Sequence, residues 1–157
     1  MTTKGMQPMD RMNMRVPASA GWLGGLGVAP FAALAAMLPF LAGEQKTFAA
    51  HALVAYGATI LSFLGGVHWG LAIATDGADR AGLGARLVVS VVPSLAGWIA
   101  LLVGSSIGMF ILAAAIAMML WVDIRIAQTG HAPPWYPKLR VPLTCAVLAT
   151  LLFGAAM

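Results

Sequence analysis

Five continuous apolar runs separated by short polar segments constrain this chain more than any other feature of it. They lie at about residues 22–42, 48–74, 86–103, 107–126 and 141–157. A helix crosses the hydrocarbon core of a bilayer with about 20 apolar residues, within a range of about 17–25, and longer runs cross with tilt. The runs do not alternate, and they are about twice the length of a barrel strand, so helices are expected and strands are not. The expected fold is all-α: one membrane domain, residues 22–157, built as a bundle of five transmembrane helices. The chain is 61% apolar and only 9% charged. Soluble domains carry about 45–50% and about 25%, and a soluble fold of this content would expose apolar patches that soluble monomers rarely show.

The charge pattern gives an orientation. The net charge is +4, but the nine Lys and Arg lie between or beside the apolar runs. They therefore read as topology determinants, and no nucleic-acid partner is expected. With five spans, Lys4, Arg11, Arg15, Arg80, Arg86, Arg125, Lys138 and Arg140 share one side, and Lys46 alone lies on the other. Basic residues accumulate on the cytoplasmic side. The N-terminus is thus expected in the cytoplasm and the C-terminus on the opposite side. Residues 1–21 lack the apolar core of a secretory signal and are expected to form a mobile cytoplasmic tail. Trp22, Trp69, Trp121 and Trp135, with Tyr136, are the expected aromatic anchors at the cytoplasmic interface.

Prolines and short polar stretches set the expected boundaries. Pro30 and Pro39 interrupt the first run, and Gly43 to Thr47 reads as a linker. Pro142 suits the first turn of the last helix. Pro133-Pro134-Trp135-Tyr136 matches the pattern read by WW domains, but its place at the interface favours a rigid loop anchored by its aromatic rings.

Several segments resemble a known family. They are Leu38-Pro39-Phe40, the block from Phe63 through Gly65-Gly66-Val67-His68-Trp69-Gly70, Val92-Pro93-Ser94-Leu95, and Pro134-Trp135-Tyr136-Pro137 continuing to Thr144. Together, over roughly residues 20 to 156, they resemble the transmembrane protein 69-like family, which is defined by a domain of unknown function. The resemblance implies a small multi-span protein of the bacterial inner membrane or its mitochondrial counterpart. It implies no activity and no catalytic residue.

The second run carries the most chemistry. At about 100° per residue, Gly57, Ala58, Leu61, Gly65, His68 and Ala72 fall on one side of a helix. Small residues let helices approach closely in lipid, so this face is expected to pack inside the bundle. Gly66 and Gly70 form a second small-residue pair on another side. His68 is an ionisable group within a span, and such groups are functional candidates by default. It lies about 20 residues from the outer end of its run, and Asp123 about 16 from the start of its own. At 1.5 Å per residue both sit roughly 24–30 Å from the outer surface. Asp123 also lies near a helix C-terminus, where the dipole disfavours a carboxylate. Its partner is expected from another helix: His68, Arg86 or Arg140. The resulting polar cluster reads either as interhelical glue or as a proton or anion site.

Other chemistry finds little support. Three His exclude a four-histidine double-haem centre, and His51 and His68 are separated by roughly 25 Å along one helix. A single haem ligated by His68 and a Met is the weak remainder. The single Cys145 permits no internal disulfide. There is no phosphate loop, zincin His pair or hydrolytic triad. No metal site or cofactor is expected, and an enzyme acting on a lipid or quinone with His68 as base is the reading the residues support least. The first functional expectation is a scaffold or assembly factor that binds another membrane protein, or itself, within the lipid bilayer. The alternatives are a small transporter or proton or ion conductor, and a lipid- or quinone-binding protein. The expected location is the bacterial inner (cytoplasmic) membrane.

Overall fold

The structure, a computed structural model, describes residues 15–74, 82–130 and 132–157. Lys4 and Arg11 of the expected tail, Asp76, Asp79 and Arg80 of the second loop, and His131 lie outside the described residues. Five described helices are long and apolar enough to cross a membrane. They are α1 (Ala18–Met37), α2 (Gly43–Ala74), α3 (Leu83–Leu102), α4 (Ser105–Gln128) and α5 (Tyr136–Ala156), with a short 3-10 turn at Leu38–Phe40 after α1.

The boundaries differ from expectation in instructive ways. Helix α1 starts at Ala18 rather than Trp22, so the last residues assigned to the tail are helical. It keeps Pro30 inside and ends ahead of Pro39, which lacks the N–H needed to continue an α-helix. Gly43 to Thr47 is not a linker but the opening of α2. Gly43 takes a φ of +55°, a left-handed conformation that glycine adopts without strain. Glu44 then lies in the first turn, where the helix dipole favours an acid. The last helix starts at Tyr136 rather than Val141, with Pro137 in its first turn and Pro142 inside it. A proline early in a helix loses no intrahelical hydrogen bond, which is why this Pro-rich segment begins a helix.

The helices pack in chain order, α1 on α2, α2 on α3, α3 on α4 and α4 on α5; α1 closes on α5, and α2 also meets α4 across the centre. The 32 residues of α2 extend about 48 Å, against a hydrocarbon core of about 30 Å, so this helix tilts or projects from the bilayer. Its buried face holds Leu53, Gly57, Leu61, Gly65 and His68. The facing stripe of α4 is Met109, Leu112, Ile116, Met119 and Asp123, at alternating spacings of three and four. Each stripe is apolar until its last members, which are ionisable.

Lipid tails are as apolar as leucine, so helix association rests on close van der Waals contact and interhelical hydrogen bonds. Both occur here. A Cβ on Gly108 of α4 would collide with the carbonyl oxygen of Ala100 on α3, and one on Gly65 of α2 with the carbonyl oxygen of Ser90 on α3. Near the centre, the Tyr56 hydroxyl donates to the Gly27 carbonyl at 3.0 Å, tying α2 to α1.

Candidate functional site

Helices α2, α4 and α5 converge on one carboxylate. Asp123 is 1% exposed. Its Oδ1 lies 2.7 Å from His68 Nε2. Its Oδ2 accepts from Arg140 Nε at 2.6 Å. The Tyr136 hydroxyl donates to Oδ1 at 3.2 Å. Three donors from two other helices thus close on one acid. An ionised carboxylate only accepts, so His68 Nε2 carries the proton in this contact. The Arg140 guanidinium pairs with the carboxylate, and a paired charge is less costly to bury within a membrane span than a lone one.

Sequence spacing places each member. His68 follows Leu61 and Gly65 along the buried face of α2, and Asp123 ends the buried stripe of α4. On α5, Tyr136, Arg140 and Thr144 are successive i, i+4 positions and share one face. Tyr136, expected as an interface anchor, sends its hydroxyl to Asp123 while its ring meets Trp135 edge-on at 6.2 Å. Tyr136 and Thr144 had no place in the expected cluster. Their spacing from Arg140 was a signal for both, once α5 is known to start at Tyr136.

Two cavities flank the junction, each of about 340 Å³. The lateral cavity opens on the side of the bundle between α1, α2 and α5. Its walls include Leu23, Gly24, Gly27, Phe31, Phe63 and Leu143, and Tyr136, Arg140 and Thr144 also line it. From Tyr136 to Val147 it follows α5 for about 16 Å. The end cavity lies between α2, α3 and α4, lined by His68, Ala85, Arg86, Val122, Ile126 and Thr129. Arg86 therefore shares a cavity with His68, while the contacts to Asp123 come from His68, Tyr136 and Arg140.

The other sequence candidates fall in three places. Gly57 and Gly65 are buried, Gly57 against Leu112 and Gly65 against Ser90. Gly66 and Gly70 are exposed, and a Cβ on either would meet open space, so no described helix of this chain packs on them. Trp22, Trp69 and Trp121 are exposed, Trp121 with Arg125 stacked 5.1 Å from its ring centre, and Trp135 is half-buried. Antiparallel alternation brings all four to the junction end of the bundle.

Residues 16–156 match the family described as a protein of unknown function, DUF3429. Over 135 residues the chain is 36% identical to Transmembrane protein 69 of Xenopus tropicalis, covering 86% of this chain and 53% of that relative. The chain thus spans about half the length of the curated relative it matches. No solved structure matches it.

Proposed function

We propose a function from one premise: the chain belongs to the DUF3429 family of proteins of unknown function, and it is a multi-span membrane protein similar to Transmembrane protein 69. On that premise, it holds a lipid-like molecule in its lateral cavity. The observation that carries this reading is the cavity itself. Its volume of about 340 Å³ falls within the roughly 300–1,000 Å³ typical of ligand sites. Its walls are almost wholly apolar, it opens where lipid tails lie, and one end adjoins the buried junction. An apolar tail enters such a space from the bilayer without crossing water.

Sequence reasoning favoured a scaffold because no catalytic chemistry is visible and helix faces are rich in glycine. The cavity supports a binding protein instead, in which the junction fixes α2 and α5, two of the three helices that wall the cavity. We place the junction end on the cytoplasmic side, because Arg15, Arg86, Arg125, Lys138 and Arg140 gather there and Lys46 lies at the far end. The bacterial inner membrane is the location proposed from the family resemblance.

The test is mass spectrometry of the small molecules retained by the protein after mild detergent extraction. Gly27 lines the lateral cavity, and a Cβ on it would meet open space. Gly27→Trp should therefore fill the cavity, while Gly66→Trp on the exposed side should not. Wild type and Gly66→Trp are expected to retain a stoichiometric lipid-like mass that Gly27→Trp loses. A stoichiometric protein partner, with no small molecule that depends on Gly27, would return the scaffold reading.

A further inference from the structure

The lateral cavity offers an occupant shape and little chemistry. Arg140 and Thr144 stand in its wall, but Arg140 Nη2 and Thr144 Oγ1 are sealed behind its surface, out of reach of a molecule the size of water. Arg140 Nε and the Tyr136 hydroxyl are engaged by Asp123, and the Gly27 carbonyl accepts from Tyr56. A polar head seated here would exchange its hydrogen bonds for an almost wholly apolar wall, which is costly. A hydrocarbon chain gives up nothing of the kind. Resting on the reading of this cavity as a lipid-ligand site, we propose that it takes one unbranched acyl chain of a phospholipid from the leaflet at the junction end, and that the head of that lipid stays outside.

The dimensions choose the chain. On α1 the cavity runs from Ala20 to Phe31, and on α5 from Tyr136 to Val147. Both helices lead away from the junction end, and each stretch rises about 16 Å. A hydrocarbon core of about 30 Å gives one leaflet a depth of about 15 Å, so the cavity is as deep as the chains beside it. Ala20, Gly24 and Gly27, spaced four and three apart on α1, present little bulk to this space. Spread over about 16 Å, the volume of about 340 Å³ leaves a cross-section of roughly 21 Å². Carbon atoms in contact stand about 4.0–4.5 Å apart, so one straight chain packed on all sides takes about 20 Å². Two chains side by side, or one with methyl branches, need more. An apolar cavity of about 150 Å³ admits benzene, so this one admits roughly a dozen carbons.

The experiment is native mass spectrometry of the full chain released from lipid nanodiscs. The discs carry dioctanoyl, dilauroyl, dipalmitoyl and diphytanoyl phosphatidylcholine at equal share, and the readout is the enrichment of each in the retained lipid. Dilauroyl and dipalmitoyl lipids are expected to be retained about equally, because carbons beyond the cavity add nothing. The dioctanoyl lipid should be retained about tenfold less, since its chains leave part of the cavity empty. The diphytanoyl lipid should fall about tenfold below the dipalmitoyl one, since methyl branches overfill a single-chain bore. Exchanging phosphocholine for phosphoglycerol on dipalmitoyl chains should change retention by less than about twofold. Equal retention of the branched or of the shortest chain would overturn the acyl-chain assignment while leaving the lipid site intact. So would a head effect larger than the chain effect. Retention that survives Gly27→Trp, or no lipid retained by wild type, would instead strike the underlying reading.

Discussion

The two ends of the bundle are held together by different forces. At one end small residues do the work. Gly97 packs on Ala58 at 3.2 Å from where its Cβ would stand, Gly154 would meet Leu53 at 2.8 Å, and Gly108 lies directly under the Ala100 carbonyl. The buried residues around them are apolar, among them Val54, Leu53 and Met109. At the other end close contact persists at Gly65, under the Ser90 carbonyl, but two cavities open beside it, and Asp123 joins α2, α4 and α5 through His68, Tyr136 and Arg140. Close contact needs no polar group but leaves no room. A hydrogen-bonded junction spans a wider gap, and beside that gap a ligand can be seated. On the proposed reading, function belongs to the junction end, and the glycine-packed end serves stability.

Three substitutions probe that contrast. Asp123→Ala strips Arg140 of its balancing charge inside the bundle. The expected loss is about 3–5 kcal/mol, the usual consequence of orphaning one partner of a buried ion pair, read by unfolding in detergent. A loss no larger than that of an exposed site would mean that the junction does not brace the helices. Gly108→Ala forces α3 and α4 apart against a backbone carbonyl that cannot turn aside, and should destabilise by about 1–3 kcal/mol. Gly66→Ala has the opposite sign. Its Cβ enters open space on an exposed helix face, so the gain in helix propensity should stabilise by up to about 1 kcal/mol. Equal effects at Gly108 and Gly66 would erase the distinction between packed and open glycines.

The fold was legible because run length and charge scarcity leave a chain of this kind few options. Five runs became five helices, with ends shifted where proline or glycine chemistry was misread. One such shift had consequences for the site. Starting the last helix at Val141 turned Tyr136 into a loop anchor and hid the stripe Tyr136, Arg140, Thr144, whose spacing is plain once the helix begins at Tyr136. Depth arithmetic set His68 level with Asp123, since rise per residue is fixed, but it left open whether Arg86 or Arg140 completes the cluster. Choosing among them needs the rotation of each helix about its axis, which packing decides. The cavities were not legible at all. They depend on how far α1 and α5 stand from α2, and α3 and α4 from the end of α2, distances that no periodicity encodes.

The most direct measurement is a structure of the full chain in a lipid nanodisc, determined with a rigid binding partner that adds mass for imaging. The account predicts continuous elongated density in the lateral cavity between α1, α2 and α5. A lateral cavity closed by the collapse of α1 onto α2, or filled by a helix of another protein, would contradict it.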